Sequence, residues 1–279
     1  MTEIDYGLFH DRLERARGEG TAARWELLRA FQQEWGYEPT VGRRWERGEP
    51  DADDLARVDR SLPVPPALEE WWDLPFNSFA DRPRLYWTHP EWPPTLRPDP
   101  TGYGVSDALP ADNPFVGPDE DPRVCVFMAE YEYCNEWGYP AARSALADPP
   151  VLVAARDEEG RDVWLAQSHS VSEFFLQLAV TRLPAHYGWC VEQHRVTPET
   201  LDRLRARLRP TGLLPWRELG SRAVYFGGED VVVRHDTGHG DFELVAYGRT
   251  EKSLTRLGDV LGLDWSEYLC APESLREDD

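Results

Sequence analysis

Apolar side chains recur at helical spacing near the amino end of the chain. Over residues 8–35 they predict two helices, which are interrupted at Gly18–Gly20. A short helix is predicted at Asp51–Asp59, because its acidic first turn complements the helix dipole. The proline-rich run at 62–66 then gives a stiff entry to an apolar, aromatic helix at Ala67–Trp72.

The pattern changes between residues 81 and 122, which hold ten of the 24 prolines. Proline removes a backbone donor and disrupts helix interiors, so this segment is predicted to be a long irregular excursion. Its aromatic side chains, Trp92 among them, indicate loops that pack down or contact a partner rather than a free linker.

Alternating and β-branched positions return after residue 122. Strands are predicted at 123–129, 150–155, 162–166, 223–226, 230–234 and 242–247. Helices are predicted at 173–183, from the capping Thr197 to Pro210, and at 251–257. Gly227 and Gly228 are expected to form a tight turn between two strands. Because helices and strands alternate without a regular βαβ period, the sequence predicts an α+β fold, mainly antiparallel sheet packed with helices.

Composition restricts the class of partner. The chain has 279 residues, enough for one large domain or two modest ones. Its 51 acidic and 30 basic residues give a net charge of −21, which argues against nucleic acid and anionic membrane surfaces and favours a basic partner. Four dispersed cysteines form no CxxC pair, and neither a spanning helix nor a secretory signal is recognisable. A cytoplasmic protein without a metal or cofactor is expected.

Two arrangements of ionisable residues could serve a hydrolase. His235, His239 and Asp241 carry metal-ligating side chains, but the intervening glycines and flanking strand patterns favour a hairpin turn. Glu130 and Glu132 could form a carboxylate pair beside aromatics that stack on a sugar. The sequence contains no nucleophile elbow, Walker A loop or GxGxxG motif, so we predict that the chain is not an enzyme.

The segment 130–138 combines three acids and three aromatics in nine residues. If it stays extended, its glutamates lie on one face and its tyrosines and tryptophan on the other. Three interpretations stay open. The segment could be an enzyme site, a binding edge in which aromatics anchor and acids select Arg or Lys, or a structural strand with an aromatic core side.

Several motifs, taken in order, resemble the SMI1/KNR4 (SUKH) superfamily. Leu62–Trp72 resembles the family's entry motif, LPxx followed by an apolar helix, and Glu130–Gly138 is similar to its E-N-Q … W-G stretch. Asp148–Val151, Trp164 and Ser170–Phe175 resemble its closing strand, hairpin and helix. The glycine of the family's N-G-G-like turn is missing, and only the first residue of the E-N-Q core is kept.

The resemblance implies a domain organisation. An SMI1/KNR4-like α+β core is expected at 52–181, with the irregular excursion 81–122 inside it. A helical extension at 1–51 precedes the core, and an α+β extension or second lobe at 182–279 follows it.

The resemblance also implies a function. Family members are generally non-enzymatic, and many bacterial members are immunity proteins, so we expect an antidote for a basic toxin domain such as a nuclease. A hydrolase or a housekeeping scaffold of the same fold is the alternative. Residues 61–181 carry −13 of the net charge of −21, which places the expected partner surface there. The residues predicted to contact the partner are Glu130, Tyr131, Glu132, Tyr133, Glu136, Trp137, Asp119, Glu120, Asp121 and Trp92.

Overall fold

The structure is a computed structural model that describes residues 2–39, 49–77, 88–102, 106–130, 132–157 and 160–276. It contains helices and two antiparallel sheets, which confirms the predicted α+β class. The helices are α1 (Phe9–Glu19), α2 (Thr21–Glu34), α3 (Ala52–Ala56), α4 (Pro66–Asp73), α5 (Val171–Tyr187), α6 (Pro198–Arg207), α7 (Glu251–Leu261) and α8 (Glu273–Arg276). The strands are β1 (Thr88–Arg97), β2 (Val124–Glu130), β3 (Glu136–Pro140), β4 (Val151–Arg156), β5 (Asp162–Ser168), β6 (Trp189–Gln193), β7 (Arg209–Pro210), β8 (Trp216–Glu218), β9 (Ser221–Gly228), β10 (Val231–Asp236) and β11 (Leu244–Gly248).

The chain separates into two compact units. The terminal unit comprises Met1–Glu38, Phe175–Trp216 and Ser221–Asp279, and the middle unit comprises Pro39–Phe174 and Arg217–Gly220. The amino-terminal and carboxy-terminal segments therefore fall in one unit, an arrangement that the sequence did not predict. The predicted segments 1–51, 52–181 and 182–279 stay a prediction about domain organisation.

The middle unit is built on a five-stranded meander with the order β1-β2-β3-β4-β5. Every residue of β2 and β3 is buried, which explains why their sequences are so rich in apolar and aromatic side chains. A cluster of Leu109, Val124, Val126, Leu152 and Trp164 forms part of its core.

The irregular excursion predicted at 81–122 needs correction, because β1 crosses it. The strand lies at the edge of the sheet and pairs with β2, and an edge strand tolerates prolines. The pairing shifts between Pro90 and Thr95, so Glu91–Pro94 form an irregularity of the bulge type. Residues 98–102 and 106–122 contain no helix or strand, as predicted, and residues 81–87 and 103–105 lie outside the described part of the chain.

The segment 130–138 is not one extended strand, which also corrects a prediction. β2 ends at Glu130, β3 begins at Glu136, and residues 132–135 form a turn in which Tyr133 has a φ of +59°. Its side chains therefore do not alternate between two faces of a single strand.

The terminal unit contains a second antiparallel sheet with the order β6-β11-β10-β9-β7. The amphipathic helix α7 contributes Leu254, Leu257 and Leu261 to the core on this sheet. Near the amino end, α1 and α2 meet at Gly20, whose φ of +104° is a conformation that glycine adopts at little cost. The two helices predicted over 8–35 are thereby confirmed.

The turn predicted at Gly227 and Gly228 lies elsewhere. Both glycines belong to β9, and the turn is formed by Glu229 and by Asp230, which has a φ of +54°. A Cβ atom on Gly227 would lie 2.1 Å from the carbonyl oxygen of Tyr6. The glycine is therefore required for close approach of the amino-terminal segment to the sheet rather than for a turn.

In the part of the chain that is described, no helix is both long enough and apolar enough to span a membrane.

Candidate functional site

The residues predicted to contact a partner do not lie together on one surface. Within the middle unit, Glu130, Glu136 and Trp137 have at most 3% of their surface exposed. These three side chains cannot touch a partner in this structure, which corrects their assignment as contact residues. They are buried because the two strands that carry them lie inside the sheet.

Glu130 organises the turn that follows it. Its Oε2 accepts hydrogen bonds from the backbone amides of Glu132 at 3.0 Å and of Cys134 at 3.3 Å. This carboxylate replaces water for two amides that the turn leaves without strand partners. The proposed catalytic pair of Glu130 and Glu132 is therefore a turn cap and an exposed side chain.

Arg97 is the centre of a buried ion network beneath the turn. It has no exposed surface, and its Nε donates to Glu136 Oε1 at 2.8 Å. Its Nη1 donates to the Thr95 hydroxyl and to the Leu96 carbonyl, each at 2.9 Å. Nη2 reaches Glu91 at 3.4 Å. The charge and the donors of this guanidinium are thus used internally.

Arg57 and Asp99 extend the network. Arg57 Nε donates to Asp99 Oδ2 at 2.7 Å, and its Nη2 lies 3.4 Å from Glu91. Burial opposes ionisation of Asp99, but hydrogen bonds from Thr101 and from Arg57 outweigh it and lower the pKa of Asp99 to about 2. The side chain of Asp99 is inaccessible to solvent, so the ionised form depends on these partners.

The irregularity in β1 explains how this network is assembled. It carries Glu91 to a buried position, where the carboxylate accepts a hydrogen bond from the Thr95 hydroxyl. Bulges re-aim side chains in this way next to functional sites. Three carboxylates and two guanidinium groups are enclosed, and Glu136 Oε2 has no hydrogen-bond partner among the described residues. We define the ion network as Arg57, Glu91, Arg97, Asp99 and Glu136.

Some members of the predicted set do reach the surface of the middle unit. Glu132 is exposed, and Tyr133 and Trp92 are half-buried. The Trp92 ring packs edge-on against Trp72, with the ring centroids 5.7 Å apart. Tyr131 lies outside the described residues.

The acidic run at 119–121 is largely neutralised within the chain. Glu120 forms a two-point ion pair with Arg143 at 2.6 and 2.7 Å, and the hydrogen bonds from Arg143 lower the pKa of Glu120 to about 2. Asp121 pairs with Arg123 in the same manner, at 2.7 and 3.0 Å. Asp119 is exposed. Two of the three acids are therefore already matched by cations.

The alternative metal site is not assembled. His235 is buried on β10, whereas His239 and Asp241 are exposed on the hairpin that follows. Across the described ranges, no group of three His, Cys, Asp or Glu residues is placed to hold a metal ion. The neighbouring Asp236 accepts hydrogen bonds from the amides of Arg222 and Gly238, at 2.8 and 2.7 Å. The carboxylate of Asp236 therefore stabilises a hairpin, which agrees with the hairpin turn predicted for this motif.

The ion network itself was missed by the sequence analysis. Arg97 is 39 residues from Glu136, and Arg57 is 42 residues from Asp99. The sequence offered one sign of this network. Arg97 is a charged residue that directly follows the apolar Leu96 in a proline-rich segment. Local pattern does not indicate which distant carboxylate such a residue meets.

No family model, curated protein or solved structure matches the chain. The resemblance to the SMI1/KNR4 superfamily therefore stays a prediction.

The first prediction concerns the centre of the ion network. Arg97→Met leaves buried carboxylates without their cation, so we expect a loss of about 3–5 kcal/mol in the free energy of unfolding. Urea denaturation followed by tryptophan fluorescence and circular dichroism measures it. Arg156→Met is the matched control, because the side chains of Arg156 and Asp162 are 77% and 89% exposed. The control should lose less than about 1 kcal/mol. Equal losses in the two variants would show that burial does not set the value of the Arg97 ion pairs.

The second prediction concerns pH. Because the pKa of Asp99 is lower in the folded chain than its ordinary value of 3.8, its ionisation stabilises the fold above pH 4 and stops doing so as pH falls from 4 to 2. Asp99→Asn should therefore be less stable than wild type by about 2 kcal/mol at pH 6, and this difference should shrink towards pH 3. Urea denaturation of both proteins at the two pH values tests it. A difference that is independent of pH would contradict the assigned role of Asp99.

Proposed function

We propose that this protein is a non-enzymatic protein-binding protein of the immunity type, which covers a basic protein domain such as a toxin nuclease. The observation that carries the proposal is a net charge of −21 in a chain whose buried Arg57 and Arg97 are already paired with acids. The acidic excess must then lie on the surface, where it attracts a basic protein.

The exposed acids differ in whether they are free to pair with a cation of a partner. Glu120 and Asp121 are held by neighbouring arginines, whereas Glu132 and Asp119 form no ion pair with a described residue. Unpaired surface carboxylates contribute fully to the field that steers a partner, because no neighbouring cation cancels them. They therefore support binding to a basic partner better than the paired acids do.

The carboxylates at the two candidate hydrolase sites have structural roles, which also favours a binding role for the protein over catalysis. Glu130 caps a turn, and Asp236 and its neighbours hold a hairpin. Each of these carboxylates has a structural use that accounts for its position. The predicted alternatives, a hydrolase or a housekeeping scaffold, stand as outcomes of the following test.

The test is co-expression with effector domains encoded beside the gene. We expect one of them to be toxic alone, to be neutralised by this protein, and to remain bound on purification in 50 mM salt. Electrostatic steering predicts that the association rate falls at least about tenfold between 50 and 500 mM salt, as stopped-flow mixing would measure.

Two results would contradict the proposal. One is the absence of both neutralisation and retention for every neighbouring effector domain at low salt. The other is a substrate turned over by the purified protein alone, which would favour the hydrolase.

A further inference from the structure

The terminal unit contains a cavity whose lining residues were not among the predicted contact residues. It has a volume of about 230 Å³ and lies between the end of β6 and the segment that follows α7. A second cavity of about 470 Å³ adjoins it and shares Leu263, Asp264 and Trp265. We call the first one the β6 cavity; its lining residues are Glu192, Gln193, His194, Leu263, Asp264, Trp265 and Tyr268.

The β6 cavity exists because one edge of the sheet is only partly covered. β6 is an edge strand, and Cys190 exchanges two backbone hydrogen bonds of 2.9 Å with Cys270. Continued antiparallel pairing would bring Tyr268 opposite Glu192. Instead residues 266–268 form a turn, in which the Tyr268 amide donates to the Trp265 carbonyl at 2.9 Å. No described residue pairs with this outer edge at Glu192, and the cavity lies there.

The backbone N–H and C=O groups of Glu192 point towards the outer edge of β6, where the cavity lies. Successive residues of a strand direct their N–H and C=O groups to opposite edges. Since Cys190 bonds outward to Cys270, Glu192 directs its backbone outward as well. The Glu192 carbonyl accepts a hydrogen bond from its neighbour Gln193 at 3.1 Å.

The charge at the β6 cavity is negative. Glu192 and Asp264 line it, Asp259 lines the adjoining cavity, and neither Lys nor Arg is among the described lining residues. The carboxylates of Glu192 and Asp259 are exposed and have no hydrogen-bond partner in the described part of the chain. Hydrogen bonds from the Ser266 hydroxyl and amide lower the pKa of Asp264, so this carboxylate stays ionised.

Aromatic surface completes the β6 cavity. Tyr268 is 58% exposed, which is unusual for so large an apolar ring, whereas Trp265 is only 4% exposed. The indole Nε1–H of Trp265 has no acceptor among the described residues. The wall thus offers the exposed ring of Tyr268 beside the carboxylates of Glu192 and Asp264.

We propose that the β6 cavity binds an arginine side chain of a basic protein partner, an inference that rests on the proposed function. A guanidinium group stacks on aromatic rings and donates to carboxylates through a planar fork, and Glu192, Asp264 and Tyr268 supply both features.

Arginine is preferred over lysine on the same grounds. An ammonium group is a compact, strongly hydrated charge that does not stack, whereas the guanidinium group is weakly hydrated and planar.

The test is an NMR titration of the ¹⁵N-labelled full chain at pH 8 with the peptide acetyl-Ala-Ala-Arg-Ala-Ala-amide. Trp265→Phe assigns the indole resonance of Trp265. We expect saturable shifts of that resonance with a Kd of about 1 mM, a typical strength for one anchoring side chain. The matching lysine peptide should bind more weakly, and the matching citrulline peptide, which lacks the charge, should not saturate.

The variant pair Glu192→Gln with Asp264→Asn should weaken arginine-peptide binding about tenfold, because two charged acceptors become neutral. Asp11→Asn with Glu19→Gln is the matched control. It removes the same charge from two exposed acids on α1, and it should leave the Kd unchanged. Preserved resonances elsewhere in the spectrum show that each variant is folded.

Three results would overturn the proposal. The arginine and citrulline peptides could bind equally, the shifts could map away from Trp265, or the two variant pairs could behave alike. Binding to the protein partner distinguishes this failure from failure of the proposed function. If a neighbouring effector is retained by wild type and equally by the Glu192/Asp264 variant, the function stands and the β6 cavity is not the contact. If no effector is retained but the arginine peptide binds, the function fails and the cavity stands.

Discussion

The buried pair of Arg97 and Glu136 is the constraint on which the middle unit depends. It links the edge strand β1 to the central strand β3, and neither side chain is exposed to solvent. Burying ions costs several kcal/mol for each charge unless partners replace the lost water. Glu91, Asp99 and Arg57 supply further partners, so the proline-rich edge strand is tied to the sheet by charge as well as by backbone pairing.

This constraint changes the meaning of the acidic, aromatic segment at 130–138. Its sequence was compatible with an enzyme site, a binding edge or a structural strand. In the structure two of its glutamates serve the fold, one as a turn cap and one inside the ion network. An exposed carboxylate and an exposed aromatic ring line one cavity in the terminal unit, at Glu192 and Tyr268. Residue types that promote binding thus have different roles according to whether their strand lies inside a sheet or beside an open edge.

The sequence predicted the features that depend on local chemistry. The helices before residue 36, the Thr197 cap and the β4–β5 hairpin follow from spacing, capping and turn residues, and all occur in the structure. It failed where distant residues decide the outcome. β1 was hidden by its prolines, and the role of Gly227 depends on the approach of Tyr6, which is 221 positions away in the chain. The β6 cavity likewise requires Glu192 and Asp264 to be brought together by the sheet edge.

The most direct test of this account is a double-mutant cycle on Arg97 and Glu136, with both residues changed to Met singly and together. The measured quantity is the coupling between the two changes in the free energy of unfolding, from urea denaturation at pH 7. We predict a coupling above about 1.5 kcal/mol, with the double variant more stable than the Arg97 single variant, because a lone buried charge is costlier than none. A coupling near zero would contradict the claim that this pair holds the middle unit together.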